Sequence, residues 1–431
     1  MSFSKKTVKK AVLKKCTFHL SKRTAFCLLF TVFFSTFAFS ISPATQVFLR
    51  RINMLQSDVN NPIVVKKYMQ NMSLDEKIAQ LFLLNLEGNS FFTEKTEYND
   101  GISPGGYLLF SYNVADSTDK IKTFTKSIND FYVVSNQIPP FLAIDHEGGY
   151  VNRLRKIYGK FPSQEEVAQN FSSEQAFEEY FIQGKILKEL GIHINLAPIV
   201  EEKTVDNQDF LDNRSFGNIE NVVSYGNSCV SAYIKSGIIP VLKHFPGNTN
   251  DDPHLGLPKI HANLQDFEKM ILPFKKILKS NSYGYNCAIL LSHAMLPQVF
   301  GEIPACFSKE MVTDILKTKM NFTGLIISDD IYMGALAKNG YSPEKAAELS
   351  ILSGVDLIML SPKKFVNLLP SLKNLYLFNN EFSQRIDESC AKILSAKLQH
   401  KLIKVEKSEN SYSQMFLTQG FPELFNYELS F

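Results

Sequence analysis

The chain has 431 residues, 45% of them hydrophobic, enough to bury the core of one large domain or of two medium ones. Its formal charge is +3, but residues 1–40 hold eight lysines and arginines and no acid, and removing those eight from +3 leaves −5 on the rest. A mildly acidic body argues against the cationic surface of a nucleic-acid-binding protein, so no nucleic-acid partner is expected.

The basic head, from Lys5 to Arg23, runs into "TAFCLLFTVFFSTFAFSI" (24–41), which carries no charge. That order reads as a signal peptide or an N-terminal membrane anchor over residues 1–41. Positive charge ahead of the apolar run keeps 1–23 cytoplasmic and sends the body outward. The protein is therefore expected to be exported, either periplasmic or held at the membrane by this segment. "AFS" (38–40) is a weak small-residue cleavage site, and the sequence is compatible with cleavage and with retention. Cys16 and Cys27 lie in the leader. Cys229, Cys287, Cys306 and Cys390 are widely spaced in apolar contexts without a C-x-x-C pair, so buried free thiols are expected rather than a zinc site.

Residues 42–70 read as a linker and first helix. "SLDE" (73–76) is a capping box that opens a helix. Eight apolar runs follow: "LFLLNL" (81–86), "GYLLF" (106–110), "PFLAID" (140–145), "IHINLAPIV" (192–200), "IIPVLKHF" (238–245), "AILLSHAML" (288–296), "GLIISDD" (324–330) and "DLIML" (356–360). Each is continuous rather than alternating, as a strand covered on both faces should be. Helical stretches such as "SEQAFEEYFIQGKILKEL", "LQDFEKMILPFKKILKS" and "SPEKAAELSILSG" separate them. The alternation predicts an α/β fold, a single (β/α)₈ TIM-type barrel over 71–404, with a doubly wound open sheet as the alternative. Helix is expected to continue to about Lys404, followed by a polar, aromatic tail over 405–431. No second domain of comparable size remains, and a monomer is expected.

Barrel active sites lie at the C-terminal ends of the strands, and the polar residues gather there. The third run ends in Asp145, His146 and Glu147, the fifth in Lys243 and His244, and the seventh in Ser328, Asp329 and Asp330. Ser292 and His293 lie in the sixth, and Arg214 follows the fourth. Asp329 emerges from four apolar residues at the rim, where a carboxylate can be a nucleophile, a metal ligand or a cap. Asp330 is the better candidate for a helix cap. In "DDPH", Asp252 and His254 are two apart, so in an extended loop the carboxylate can bond one imidazole nitrogen and tune an acid/base group near neutrality. A capped turn is the competing reading. Lys243, inside an apolar strand, needs a charged partner or a polar cavity. With Arg214, Arg153, Asp145 and His244 it would form a pocket for a neutral, hydroxyl-rich ligand. Metal binding by His244, His254, Asp252 and His146 is disfavoured, because the helical H-x-x-x-H spacing is absent. No cofactor is expected.

"KHFPG", "DPH" and "GLP" resemble the signature of family 3 glycoside hydrolases of the bacterial β-N-acetylhexosaminidase type. "MSLDEKIAQLFLL", "PGGYLLFSYN", "FLAIDHEGGYVNRL", "NLAPIVE", "NRSFG", "SHAMLP" and "GLIISDDIYMGAL" are similar to family blocks in family order, from about Ser73 to Lys397. The resemblance implies a (β/α)₈ catalytic domain and a retaining exo-β-N-acetylglucosaminidase acting on carbohydrate with a terminal N-acetylglucosamine, such as peptidoglycan fragments. By the same resemblance Asp329 matches the nucleophile, His254 the acid/base and Asp252 its paired carboxylate. Asp145, Arg153, Arg214, Lys243 and His244 match sugar-binding positions. The chain departs from the pattern in several places. Asn248, Thr249 and Asn250 stand in a loop about two residues shorter than usual, and Pro253 replaces a serine. Tyr150 stands for an arginine and Glu201 for an aspartate. The shorter loop is expected to change leaving-group preference or slow catalysis. A phosphorylase and a catalytically weak sugar-binding protein are the alternatives.

Overall fold

The computed structural model describes residues 62–93, 99–251, 256–279, 284–362, 364–405 and 415–417. The leader and most of the tail lie outside these. Each of the eight apolar runs contains a strand: β1 (Phe82–Asn85), β2 (Gly106–Leu109), β3 (Phe141–Ile144), β4 (Ile194–Asn195), β5 (Ile239–Phe245), β6 (Ala288–Leu291), β7 (Leu325–Ser328) and β8 (Ile358–Leu360). They form one sheet in the order β7-β6-β5-β4-β3-β2-β1-β8, and every pairing is parallel. β7 and β8 meet through a single parallel bridge, Ile327 to Leu357, reinforced by bonds from the Asp356 and Leu357 amides to the Ile326 carbonyl. The sheet thus comes round on itself as a barrel, which removes the exposed edges of an open sheet. Burial is complete along almost every strand, and only Asn85 at the end of β1 is partly exposed. That is why the runs read as continuous: helices cover one face and barrel-filling side chains the other.

The helices start where local chemistry says they should. Ser73 caps Leu74–Ala79, its hydroxyl accepting from the Glu76 amide while the Glu76 carboxylate accepts from the Ser73 amide. Ser172 opens Ser173–Glu189 in the same way, and Asn218 caps Ile219–Ser236. These last two helices pack so closely that a Cβ added to Gly184 would stand 2.0 Å from Ser236 Oγ. The stretch read as one helix after the fifth run is broken at Ile271, into Leu264–Met270 and Leu272–Lys279. Cys229, Cys287, Cys306 and Cys390 are all buried and free.

One expectation fails at the C-terminal end. Helix does not reach Lys404. Asn380–Gln399 is followed by a strand, Ile403–Val405, paired antiparallel with Met415–Leu417 inside the segment expected to be tail. The turn happens at Lys401, whose φ is +63°, and the Leu402 amide folds back onto the Lys397 carbonyl. The heptad-like pattern of the helix runs on past this point, so periodicity alone does not mark the stop. None of the described helices is long and apolar enough to cross a membrane.

Candidate active site

The side chains gathered at the C-terminal ends of the strands enclose a cavity of about 530 Å³. Asp145 and Glu147 follow β3 at alternate positions. Lys243, only 3% exposed, lies within β5 and ties them together: its Nζ is 2.7 Å from Asp145 Oδ1 and 2.6 Å from Glu147 Oε1. The register of β5 on β6 shifts between Leu242 and Phe245, the segment that carries Lys243 and His244. Irregular pairing of this kind re-aims side chains beside active sites.

Arg214 enters from the loop after β4, on the short 3₁₀ turn Asp212–Arg214. Its Nε and Nη2 each stand 2.9 Å from one oxygen of Glu147, a two-pronged contact. Arg153 reaches Asp145 Oδ2 at 3.2 Å and lies over the Phe110 ring, while the Arg214 guanidinium lies over Phe210. Burial pushes the Glu147 carboxyl up, but Lys243 and Arg214 outweigh it and hold the group well below the usual carboxylate range. Burial pulls the Arg214 guanidinium down, and the carboxylates, Glu147 foremost, more than reverse this. The cluster is therefore a fixed array of charges, each buried member paired, as burial of charge requires.

His244 is held from behind. Glu201 Oε1 lies 2.7 Å from His244 Nδ1 and accepts the His244 backbone N–H at 3.0 Å. A carboxylate only accepts, so Nδ1 carries a proton and, in the neutral ring, Nε2 is the acceptor. Phe210 packs edge-on against the same imidazole.

Asp329 differs from Asp145. Both oxygens of Asp145 are engaged by cations. Asp329 receives one bond, from the Asp330 amide to Oδ1 at 2.8 Å, and no cation stands within ion-pair distance of it among the described residues. Its backbone amide is fixed to the Leu291 carbonyl at 3.1 Å. The second carboxylate oxygen, Oδ2, has no hydrogen bond or ion pair among the described residues. Asp330 does not cap the next helix, as its sequence position had suggested: the cap of Gly334–Lys338 is Met333. Instead Asp330 Oδ1 accepts the amides of Tyr332 and Ser361, tying the loops after β7 and β8, and burial raises its pKa. Behind it, His293 joins the Cys306 thiol, 3.1 Å from Nδ1, to the Asp330 carbonyl, 3.0 Å from Nε2.

The structure brings Asp145, Arg214, Lys243, His244 and Asp329 around one cavity, with Arg153 attached through Asp145. His146 is not among the cavity's lining; it is buried edge-on against Phe161 with both ring nitrogens unpartnered. Asp252 and His254 lie outside the described residues. The described residues that flank them are anchored. The Asn250 amide donates to the Asp206 carbonyl at 2.8 Å and its side chain bonds Val205 and Asp209. Ser292 Oγ donates to the Gly247 carbonyl, and the Met295 amide to that of Pro258. Asn250 and Asn248, two of the residues of the shortened segment, are therefore anchors, Asn248 reaching Glu201 Oε1 at 3.5 Å. Sequence reasoning assigned no role to Glu147, Glu201 or Phe210. Glu147 is placed at the rim and Glu201 noted where an aspartate is usual, but neither is given a partner or a task. Among the described residues no cluster of three or more His, Cys, Asp or Glu side chains is placed to hold a metal ion.

A closed parallel barrel with paired acids and bases at its C-terminal rim defines a barrel enzyme. Residues 73–396 match the glycosyl hydrolase family 3 N-terminal domain, three quarters of the chain, and the chain belongs to that family of glycosidases. Among curated proteins it is 29% identical over 285 residues to a beta-hexosaminidase of Psychromonas ingrahamii, covering 64% of this chain and 81% of that one. It is 26% identical to the beta-hexosaminidase LpqI of Mycobacterium tuberculosis, covering 67% of this chain and 73% of that one. Among solved structures, a family 3 β-N-acetylglucosaminidase from Paenibacillus sp. FPU-7 superposes with a TM-score of 0.70 at 24% identity, a likeness of fold. That match covers 77% of this chain and 63% of the other.

Proposed function

We propose that this glycosidase is a retaining exo-β-N-acetylglucosaminidase that removes terminal N-acetylglucosamine from glycoconjugates such as peptidoglycan fragments. The observation that carries the reading is the contrast between Asp329, free of cations at the cavity, and the locked Asp145–Lys243–Glu147–Arg214 array opposite. A nucleophile needs an available oxygen, and a sugar-binding array needs fixed donors and acceptors. Asp329 attacks the anomeric carbon and forms a glycosyl-enzyme. The array and His244 hold the ring hydroxyls. His254, paired with Asp252, protonates the leaving oxygen and then takes a proton from water. The anchors at Asn250 and Pro258 support this role by holding the loop's two ends at the catalytic face. The family relatives named beta-hexosaminidase support the substrate class. The basic, then apolar, leader supports export, so the substrate is met outside the cytoplasm.

The test is turnover of an aryl β-N-acetylglucosaminide by protein lacking residues 1–40, with and without phosphate. Release of the free β-sugar supports the reading. Sugar 1-phosphate as the product would replace it with a phosphorylase, and binding without turnover with a sugar-binding protein.

A further inference from the structure

A second cavity, of about 430 Å³, lies at the opposite end of the barrel. Its position follows from the chain: Pro140 precedes β3, His193 precedes β4, Gly237 precedes β5 and Asn286 precedes β6, and all four line it. The walls are largely apolar, from side chains such as Leu142, Ile192 and Leu402. The ionisable lining residues are Lys126, Lys188, Lys401, His193 and His400, with no acid among them. Two nearby acids are already engaged: Asp130 pairs with Lys126, and Glu189 with Lys122. Lys188 and Lys401 have no ion pair among the described residues. Burial and the charge of Lys401 both pull the Lys188 pKa down, as expected of two ammonium groups sharing a pocket without a counterion. His193 adds a donor: its Nδ1 accepts the Leu142 amide at 3.0 Å, so the ring proton sits on Nε2.

Lys401 itself stands where the backbone favours glycine. Ile219–Ser236 stops on Gly237 and Pro343–Ser353 on Gly354, both at positive φ. Asn380–Gln399 makes the corresponding left-handed stop with Lys401, at φ +63°. Lys401, in this left-handed position, lines the cavity. Helix C-termini do attract cations, and that competing role is separable by experiment.

We propose that this cavity is a binding site for a small amphipathic organic anion, with an acid head between Lys188 and Lys401 and an apolar body against the barrel floor. It is remote from the catalytic rim and independent of the reading given above.

Isothermal titration of the whole protein with octanoate, 1-octanol and inorganic phosphate tests it. Octanoate should bind one to one, at least tenfold more tightly than either comparison probe. Lys401→Gly suits the backbone, so Tm should hold or rise while octanoate affinity falls at least tenfold. Lys188→Gln should weaken octanoate similarly. Absence of octanoate binding, or octanol binding as tightly as octanoate, would overturn the proposal. So would variants that bind octanoate like the parent, and a lowered Tm in Lys401→Gly with unchanged affinity would assign Lys401 to the helix end alone.

Discussion

Glu201 Oε1 accepts both the backbone N–H and the ring Nδ1 of His244, at 3.0 and 2.7 Å. One carboxylate oxygen thereby fixes the position and the tautomer of a residue at the cavity. Glu201→Ala would leave the buried His244 amide without a partner, which costs about 1–3 kcal/mol. Urea denaturation should show that loss. Steady-state kinetics should show a raised KM, because the ring is released to the wrong tautomer. Unchanged stability and KM would remove Glu201 from the site.

Glu147 is a stronger case, since it joins Lys243 and Arg214 in a buried set. Glu147→Ala would leave Arg214 without its paired carboxylate and Lys243 with Asp145 alone, and breaking a buried pair costs about 3–5 kcal/mol. Thermal denaturation should show a large fall in Tm. Glu147→Gln keeps the shape without the charge and should also lose substrate affinity.

The same pair dictates an acid response. The Glu147 carboxyl is held below its ordinary pKa of 4.5 in the folded protein. The unfolded chain therefore takes up its proton first as pH falls. The contribution is complete above 4.5 and is lost as pH drops through the folded value. Stability measured from pH 7 downward should decline more steeply in the parent than in Glu147→Gln.

Lys397 predicts a slope of the same sign at higher pH. It is fully buried, with Nζ 2.7 Å from Gln80 Oε1, and burial lowers its pKa to about 7. Between about 7 and its ordinary 10.5 the unfolded chain binds the extra proton, so folding becomes more favourable as pH rises. Relative to Lys397→Met, the parent should gain stability from pH 7 to pH 9 in denaturant titrations. A parallel response in the two proteins would contradict the assignment.

The barrel was legible because burial on both faces leaves continuous apolar runs, and all eight became strands. The rim was legible in part. Asp329 follows "GLIIS" at the end of an apolar run, and Lys243 is conspicuous inside an apolar strand. Glu147 and Glu201 escaped because each takes its role from a partner 67 or 43 residues away. An acid in sequence carries no sign of what it faces. The stop at Lys401 escaped for a local reason: a lysine holds a left-handed position that is usually marked by glycine.

The central claim is that Asp329 carries the sugar between the two chemical steps. Mass spectrometry of the protein quenched during turnover of a slow fluorinated N-acetylglucosaminide tests it most directly. The account predicts one added N-acetylglucosaminyl group on the peptide containing Asp329, absent in Asp329→Ala, whose turnover should fall about 10⁴-fold or more. A label on another residue, or full turnover by Asp329→Ala, would contradict it.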